Sequence, residues 1–298
     1  MSYLPFAILS QLLNSIAVTV DKFLLTKLIP DPIIYIFYFS LVSLVTLVAI
    51  PFVPTPTILV FILASTSTLF WTLGAYLMFK ALKIGQVQRV IPIIGTITPL
   101  VLLILSAQTD SITAVQVLAV IILILGLVFL TLNDLKGKLI KEELLLEFSA
   151  ACLFAFNYYL LRLAFLKMGF LTVLVYTRPI LIPLGIILIA IPGIRAKIWL
   201  FLKPQTGQIR KGAPLFIFGQ VASAASEFLL FFSISLANPA LVNSLQGIKY
   251  IFLLIFSLIL GRKFPEIFQN KFQGYYALSQ TLGIAAIGFG LYLLAATP

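Results

Sequence analysis

Apolar residues run through this sequence in ten long stretches, separated by charged residues or by proline and glycine. A helix crosses the hydrocarbon core of a bilayer with about 20 mostly apolar residues, and each stretch is close to that length. The pattern therefore predicts ten membrane-spanning helices, numbered here as spans 1 to 10. They cover residues 3–20, 33–52, 58–82, 87–105, 112–132, 144–163, 171–191, 214–236, 239–260 and 274–296.

The composition also favours a membrane protein built of helices. Of the 298 residues, 61% are hydrophobic and only 10% are charged, and the mean hydropathy is +1.15. Ten spans leave only short connections, so we expect an all-α membrane protein without a soluble domain. A net charge of +11 would suit nucleic-acid binding in a soluble protein. Here the basic residues lie between the spans, where such residues set orientation, and we expect no nucleic-acid partner.

The basic residues predict how the chain is oriented in the membrane. Sixteen of the twenty Lys and Arg residues lie in the odd-numbered connections, whereas the even-numbered connections hold only Arg162 and Lys167. Basic connections stay in the cytoplasm. The count therefore predicts a multi-pass protein of the cell's plasma or inner membrane with both termini outside.

The two halves of the chain share features in the same order, which indicates an internal repeat. Three sets of positions correspond: Lys22 and Lys27 with Arg162 and Lys167, Ala81-Leu82 with Ser235-Leu236, and Gln116, Ala119 and Gly126 with Gln280, Gly283 and Gly290. A repeat of five spans must enter the membrane from opposite faces in its two copies. We predict inverted repeats at residues 1–135 and 144–298, joined by a cytoplasmic connector at 136–143, and we expect the charged stretch 136–147 to be solvated. Chance matches between apolar stretches are the alternative.

The stretch ALKIGQVQRVIPIIGTITPLVLLILSAQTDSITAVQVLAVIILILGLVFL resembles the signature of EamA-type transporters in the drug/metabolite transporter superfamily. The second copy, SLANPALVNSLQGIKYIFLLIFSLILGRKFPE followed by QTLGIAAIGFG, is a looser match, with Gly261-Arg262 where the family has Gly-Glu. The first copy matches at Ala81-Leu82, Pro92, Pro99, Asp110, Thr113, Gln116, Ala119 and Gly126.

This resemblance implies ten helices in two inverted five-helix repeats around a central cavity. It does not specify a solute, because relatives carry amino acids, metabolites, drugs or nucleotide-linked sugars. Members of the family are commonly described with both termini in the cytoplasm, opposite to the orientation that the charge count predicts.

Three charged residues lie well inside predicted spans, away from their ends: Arg178, Glu227 and Lys249. Such residues are costly in the bilayer and usually face a cavity or a partner. Glu227 and Lys249 lie on consecutive antiparallel spans, so we expect them to pair. That pairing would leave Arg178 to receive a carboxylate or phosphate. The alternative is a purely structural Glu227–Lys249 pair, with Arg178 extending to the outer interface.

Other polar and aromatic residues within the spans are candidates for the same cavity, although each could instead serve helix packing. The candidates are Asn157, Tyr158, Gln220, Asn243, Gln246, Trp71 and Tyr76. Breaks or kinks that could serve as gates are predicted at Pro92, Gly95, Pro99, Pro179 and Pro183, with static kinks as the alternative. The small residues Ala119, Gly126, Gly283 and Gly290 are expected to serve helix contact.

The sequence offers little for catalysis. It has no histidine, one cysteine (Cys152), no Gly-rich phosphate loop and no metal-ligand cluster, so we expect neither an enzyme nor a cofactor or metal. The sequence predicts a secondary transporter that moves a small polar or amphiphilic solute by alternating access. An amino acid or organic anion is favoured, the partners are that solute and membrane lipid, and a monomer is favoured. A flippase for lipids or lipid-linked sugars, with an apolar lateral opening, and a non-transporting scaffold or sensor are the alternatives.

Overall fold

The protein is an all-α, multi-pass membrane protein. A computed structural model describes residues 3–27, 31–85, 87–107, 112–131, 141–202, 207–260 and 275–296, and all regular structure in these ranges is helical. Seven segments there are long and apolar enough to cross a membrane: Leu4–Leu25, Pro32–Phe52, Ile58–Ile84, Lys141–Phe165, Phe170–Ala190, Pro214–Leu236 and Pro239–Phe256. Three shorter apolar helices accompany them, at Val90–Ser106, Ala114–Phe129 and Leu278–Leu294.

Apart from α9, which lies in the connection between spans 7 and 8, the helices follow the predicted apolar stretches. In chain order they are α1 (Leu4–Lys27), α2 (Pro32–Ser43), α3 (Ile58–Ile84), α4 (Val87–Ser106), α5 (Ala114–Thr131), α6 (Lys141–Phe165), α7 (Phe170–Tyr176), α8 (Leu181–Ala190), α9 (Pro192–Leu202), α10 (Gly207–Leu236), α11 (Pro239–Ser244), α12 (Gln246–Leu260) and α13 (Tyr275–Ala296). A 3₁₀ segment, Leu44–Phe52, extends α2 to complete span 2. Many large apolar side chains face outward, as a lipid environment permits.

The prediction of a solvated connector at 136–143 is wrong where the structure describes it. Helix α6 already begins at Lys141, and the carboxylates of Glu143 and Glu147, expected in water, are buried. A Cβ atom on Gly85 would lie 2.0 Å from Glu143 Oε1, so only glycine leaves room for this carboxylate at the end of α3. Residues 136–140 and the motif positions Asp110, Gly261 and Arg262 lie outside the described ranges.

Two predicted spans are broken near their middle, and the proline rule explains one of the breaks. Span 7 divides at Thr177–Ile180 into α7 and α8, because Pro179 cannot donate a backbone hydrogen bond. Span 9 divides at Leu245 into α11 and α12 although no proline lies there. In contrast, α4 continues through both Pro92 and Pro99.

The helices pack in five main pairs. Helix α1 packs on α10, α3 on α6, α5 on α13, and α4 on both α6 and α11. Ser10 and Ser226 join α1 to α10 by reciprocal bonds, each hydroxyl donating to the other residue's carbonyl, at 2.8 and 3.0 Å. Serine permits such close approach and supplies an interhelical hydrogen bond.

Ala119, Gly126, Gly283 and Gly290 bring α5 and α13 into close contact, and we name these four residues the small-residue seam. A Cβ atom on Gly126 would lie 2.8 Å from Ile287 Cγ1 and 3.0 Å from the Gly283 carbonyl oxygen. A Cβ atom on Gly290 would lie 2.6 Å from Leu123 Cγ and 3.2 Å from the Ala119 carbonyl oxygen. The predicted packing role of these residues is confirmed.

Helix ends are stabilised by polar side chains at several places. Lys22 Nζ donates to the carbonyl oxygens of Leu82 and Gly85 at the end of α3, at 2.8 and 3.1 Å. Arg162 donates to those of Ile234 and Ser235 at the end of α10, at 3.1 and 2.9 Å. A cation placed there satisfies carbonyls that lack helical partners and complements the helix dipole.

Two of the motif positions named in the sequence analysis, Thr113 and Gln116, have a local role at the start of α5. Gln116 N donates to Thr113 Oγ1 at 3.3 Å, and Thr113 N donates to Gln116 Oε1 at 3.1 Å. This reciprocal pair is a capping box, which satisfies two backbone donors at the helix start.

Candidate functional site

A central cavity of about 100 Å³ lies between helices of both halves of the chain. Its wall combines charged, polar and aromatic side chains, and we use the name central cavity for the space that they enclose. The lining residues include Asn14, Asp21, Phe39, Trp71, Met78, Phe79, Thr98, Phe154, Tyr158, Ser223, Gln246 and Lys249. Four of the sequence candidates therefore lie together here: Trp71, Tyr158, Gln246 and Lys249.

Asp21 is a cavity residue that the sequence prediction missed. The first charge after the apolar run was taken as the end of span 1, whereas α1 continues to Lys27. Asp21 is buried, at 6% exposure, and accepts a short hydrogen bond from the Tyr35 hydroxyl. Asn14 lies seven residues earlier and lines the same cavity, so helical spacing from a polar residue was the available signal.

Lys249 supplies the positive charge of the central cavity. It is the fourth residue of α12, follows the break in span 9, and is 6% exposed. Within the described parts of the chain, no carboxylate lies within ion-pair distance of its ammonium group. An ionised Lys near the centre of a membrane helix costs about 2.5–3.5 kcal/mol on insertion scales. The cavity is therefore lined by a costly basic group and by an acidic group, and these two groups form no ion pair with each other.

Aromatic rings form much of the remaining wall. Phe39 and Trp71 stack with ring centroids 5.1 Å apart. The Tyr35 ring packs edge-on against Phe79 and Phe216, with centroids 4.9 and 5.9 Å apart. These contacts fix the hydroxyl that bonds Asp21, and they place apolar ring faces beside the charged groups.

Arg178 and Glu227 occupy a different place, and the predicted Glu227–Lys249 pair is wrong. Arg178 donates to Glu227 Oε2 at 2.9 Å, and both side chains are nearly buried, at 8% and 13% exposure. The error came from chain adjacency: spans 8 and 9 are consecutive, but α7 brings Arg178 against α10 instead. Arg178 sits directly in the span 7 break, where Leu181 N donates to its carbonyl oxygen.

The Arg178–Glu227 pair lies in a groove of about 480 Å³, which we name the lateral groove. Apolar side chains of α2, the 3₁₀ segment, α7 and α10 form nearly all of its surface, and several of them face outward, including Val45 at 70% exposure and Val221 at 62%. Gln220 lies here too, and Phe39 borders both this groove and the central cavity. The two spaces thus differ in chemistry but share one wall.

The remaining sequence candidates have local roles or line neither space. Asn243 is buried and donates to the Pro239 carbonyl oxygen at 2.9 Å, while Gln246 donates to Asn243 Oδ1 at 3.1 Å, so the two amides bridge the span 9 break. Asn157 is buried and Tyr76 is half-buried, and both lie outside the two spaces.

The predicted gate residues also differ in their surroundings. A Cβ atom on Gly95 would lie 3.2 Å from Gln246 Oε1, which shows that α4 and α12 are close at this point. Pro179 lies in the break of span 7, whereas Pro183 lies within the first turn of α8, where proline is tolerated. Whether any of these prolines acts in gating stays a prediction.

Comparison with known proteins gives a fold but no family. No protein-family model matches the chain, and no curated protein matches its sequence significantly. Solved structures do match it. One of them, described only as the crystal structure of a protein, has a TM-score of 0.64 and 13% identity over 97% of this chain and 98% of that one. At this identity the likeness shows that the two chains share a fold along nearly their whole lengths.

Proposed function

We propose that this protein is a secondary transporter of the EamA type, which moves a small polar or amphiphilic solute through the central cavity by alternating access. The observation that carries the proposal is a cavity lined from both halves, in which an acidic residue, Asp21, and a basic residue, Lys249, are buried without an ion-pair partner among the described residues. A wall of few polar groups among aromatic rings is typical of sites for small solutes. An amino acid or organic anion remains the favoured solute.

Alternating access in this proposal depends on ten spans arranged as inverted repeats. The helix pairs support that arrangement. In such a repeat α1 corresponds to α6 and α3 corresponds to α10, so the observed α1–α10 pair is the counterpart of the observed α6–α3 pair. The contacts of the small-residue seam show the same relation, because the Gly126–Ile287 contact is the counterpart of the Gly290–Leu123 contact. Contacts that are related in pairs in this way are expected when a two-fold axis relates the two halves.

Two cations at equivalent positions support the same arrangement. Lys22 and Arg162 correspond in the repeat. Lys22 bonds the final carbonyls of α3, Arg162 bonds those of α10, and α3 and α10 also correspond. In an inverted repeat these two caps lie on opposite faces of the membrane.

Tags at both termini test the orientation of the chain. Tags that react on intact cells would support an orientation with both termini outside, and tags that react only after permeabilisation would place both termini in the cytoplasm.

Solute counterflow in proteoliposomes tests the transport proposal. Vesicles preloaded with an amino acid, an organic acid or a cationic dye are diluted into the same labelled compound, so that carriers of either direction give a transient uptake. We expect saturable counterflow of at least one compound. Absence of counterflow with every compound, from folded protein, would favour the scaffold or sensor alternative.

A matched pair of threonine variants ties such transport to the cavity. Thr98 lines the cavity and donates to the Ile94 carbonyl oxygen, and Thr68 makes the same bond to Ala64 outside it. Thr98→Val should raise the half-saturating concentration by about 5-fold, because one hydrogen bond contributes about 1 kcal/mol. Thr68→Val should leave it unchanged. Equal effects of the two variants would place the solute elsewhere.

The lateral groove favours a second candidate, a flippase for lipids or lipid-linked sugars. Such a protein needs an apolar opening toward the bilayer, and this groove is apolar, outward-facing and larger than the central cavity. Ala224 lines the groove and is exposed, so Ala224→Phe would narrow the groove without filling the cavity. Loss of fluorescent-lipid translocation in Ala224→Phe vesicles, with solute counterflow absent, would favour the flippase. Unchanged counterflow in that variant would favour the carrier.

A further inference from the structure

We infer that Asp21 and Lys249 together form a receptor for a small zwitterion, in which Asp21 binds the ammonium group and Lys249 the carboxylate. The inference rests on the proposed transport function and names its solute class. Both side chains are 6% exposed and both line the central cavity, Asp21 from span 1 and Lys249 from span 9. The two charges thus reach one small space from opposite halves of the chain.

Neither residue has an oppositely charged partner among the described residues. The Asp21 carboxyl accepts one hydrogen bond, from Tyr35, and no hydrogen bond or ion pair within those ranges involves the side chain of Lys249. Buried charges are normally retained only when they are paired or bind something. The missing counter-charges can be supplied by a single molecule that carries both signs.

Two other buried charge sites show how this chain treats a charge that serves structure. Arg178 and Glu227 meet at 2.9 Å. Arg162 donates to two carbonyl oxygens at the end of α10. Asp21 and Lys249 share one cavity yet form no such contact. Both groups face one cavity of about 100 Å³ without forming an ion pair with each other, which suits a ligand site and not a structural pair.

Neighbouring groups hold the two charges in place. The Tyr35 hydroxyl occupies Asp21 Oδ1, which leaves the other carboxylate oxygen free to accept from an ammonium group. Lys249 lies in the first turn of α12, where the helix dipole adds to its attraction for a carboxylate. The face of Trp71, which lines the same cavity, can also attract an ammonium group.

The size of the cavity limits the ligand. One water molecule needs about 10–15 Å³ of such space, whereas drug-sized ligands occupy roughly 300–1,000 Å³. A cavity of about 100 Å³ therefore fits several water molecules or one compact solute. The rings of Phe39 and Phe79 suit a short apolar substituent.

Three probes of nearly equal shape test the charge requirement. Alanine carries both charges, lactate has a hydroxyl in place of the ammonium, and alaninol has a hydroxymethyl group in place of the carboxylate. The same series built on leucine, together with the remaining protein amino acids and glycine betaine, covers larger zwitterions. Binding to the purified full chain is read as the rise in its melting temperature with probe concentration.

We expect at least one zwitterion to stabilise the wild-type protein while its two singly charged analogues do not. Asp21→Asn should weaken zwitterion binding by roughly 10- to 100-fold, the cost of losing a hydrogen bond to a charged group, and should bind lactate as well as alanine. Lys249→Gln should show the opposite change and accept alaninol. Asparagine can still accept the Tyr35 bond, so a loss of folding is not expected. Lys197→Gln, at an exposed lysine outside the cavity, is the control.

Several results would overturn the inference. Lactate or alaninol could bind the wild type as tightly as every zwitterion, or both single variants could keep wild-type zwitterion affinity. Wild-type affinity in the double variant Asp21→Asn/Lys249→Gln would assign the charges to structure alone. Counterflow of another solute without zwitterion binding would overturn this inference and leave the carrier, whereas no counterflow of any compound would remove both.

Discussion

The two halves of the molecule, residues 3–131 and 141–296, resemble each other where helices are held together and differ where charges are buried. Lys22 and Arg162 cap equivalent helix ends, and Gly126 and Gly290 make equivalent contacts. The buried charges of the described residues do not correspond in this way: the first half provides Asp21, and the second provides Glu143, Glu147, Lys249 and the Arg178–Glu227 pair. The contacts that the two halves share hold the helices together, whereas the buried charges that differ between the halves determine what the interior can bind.

The largest effect is expected at the pair that only the second half contains. Glu227→Ala leaves the buried Arg178 without its counter-charge and should destabilise the protein by about 3–5 kcal/mol. Arg178→Met/Glu227→Gln should recover most of this loss, because no buried charge then remains unpaired. Unfolding followed by circular dichroism in detergent measures both. A double variant as unstable as the single one would mean that the groove needs these charges for more than mutual neutralisation.

The next largest effect should be shared by the two halves. Arg162→Met removes a cation from two helix-end carbonyls, and a hydrogen bond to a charged group contributes about 1.5–3 kcal/mol. Lys22→Met should cost a similar amount at the end of α3. Lys167 is exposed near the end of the same helix as Arg162, so Lys167→Met is the control and should change stability by less than about 0.5 kcal/mol. Unchanged stability in Arg162→Met would show that this cap does not help to hold the helices together.

The small-residue seam offers a smaller and more symmetric test. Gly126→Ala and Gly290→Ala each add a methyl group where Ile287 or Leu123 already lies, and overpacking of this kind costs about 1–3 kcal/mol. Gly288 lies on α13, and a Cβ atom there would have nothing within 4 Å. Gly288→Ala should therefore leave the stability unchanged or raise it slightly. Very different losses at Gly126 and Gly290 would argue against equivalent contacts.

The smallest effect is expected where the halves touch at the surface. Asp31 caps α2 by accepting from Ile33 N at 3.0 Å and binds Lys197 of the second half at 2.8 Å. Asp31→Ala should cost about 0.5–2 kcal/mol, mostly from the lost cap. Asp31→Asn keeps the cap and should lose only the weak, exposed ion pair.

The contribution of Asp31 should depend on pH in one direction. Partial burial raises the pKa of Asp31, but the hydrogen bonds from Lys197 and from the Ile33 backbone outweigh it and leave the pKa below its ordinary value of 3.8. A carboxyl whose pKa is lowered by folding stabilises the protein above its ordinary pKa and stops doing so as the pH falls through the lowered value. The stability difference between wild type and Asp31→Asn should therefore be constant at neutral pH and vanish in acid. A difference that grows on acidification would contradict this assignment.

The positions of the helices were predictable because apolar length alone decides where a chain can cross a bilayer. The errors occurred at charged residues. Asp21 was taken as an end of span 1, and Glu143 and Glu147 were taken as solvated, because a local pattern does not show which charges tertiary contacts will cover. The seam was predictable from spacing, since small residues two turns apart share one helix face.

The arrangement of the site was less predictable than its members. Lys249, Tyr158, Gln246 and Trp71 were identified from polarity or ring type and do line one cavity. The partner of Glu227 depended on which non-consecutive helices meet, and sequence adjacency favoured Lys249 over Arg178. Span order places residues along the membrane normal, but it leaves their positions around the bundle undetermined.

The seam between α5 and α13 limits how this protein can move. With Gly126 and Gly290 already in close contact with the facing helix, these two helices cannot slide past each other without forcing backbone atoms together. If the halves rock during turnover, this line of contact is the fulcrum. Spectroscopic labels placed on α5 and α13 would keep one separation throughout the cycle, while labels on α1 and α12 would report the motion.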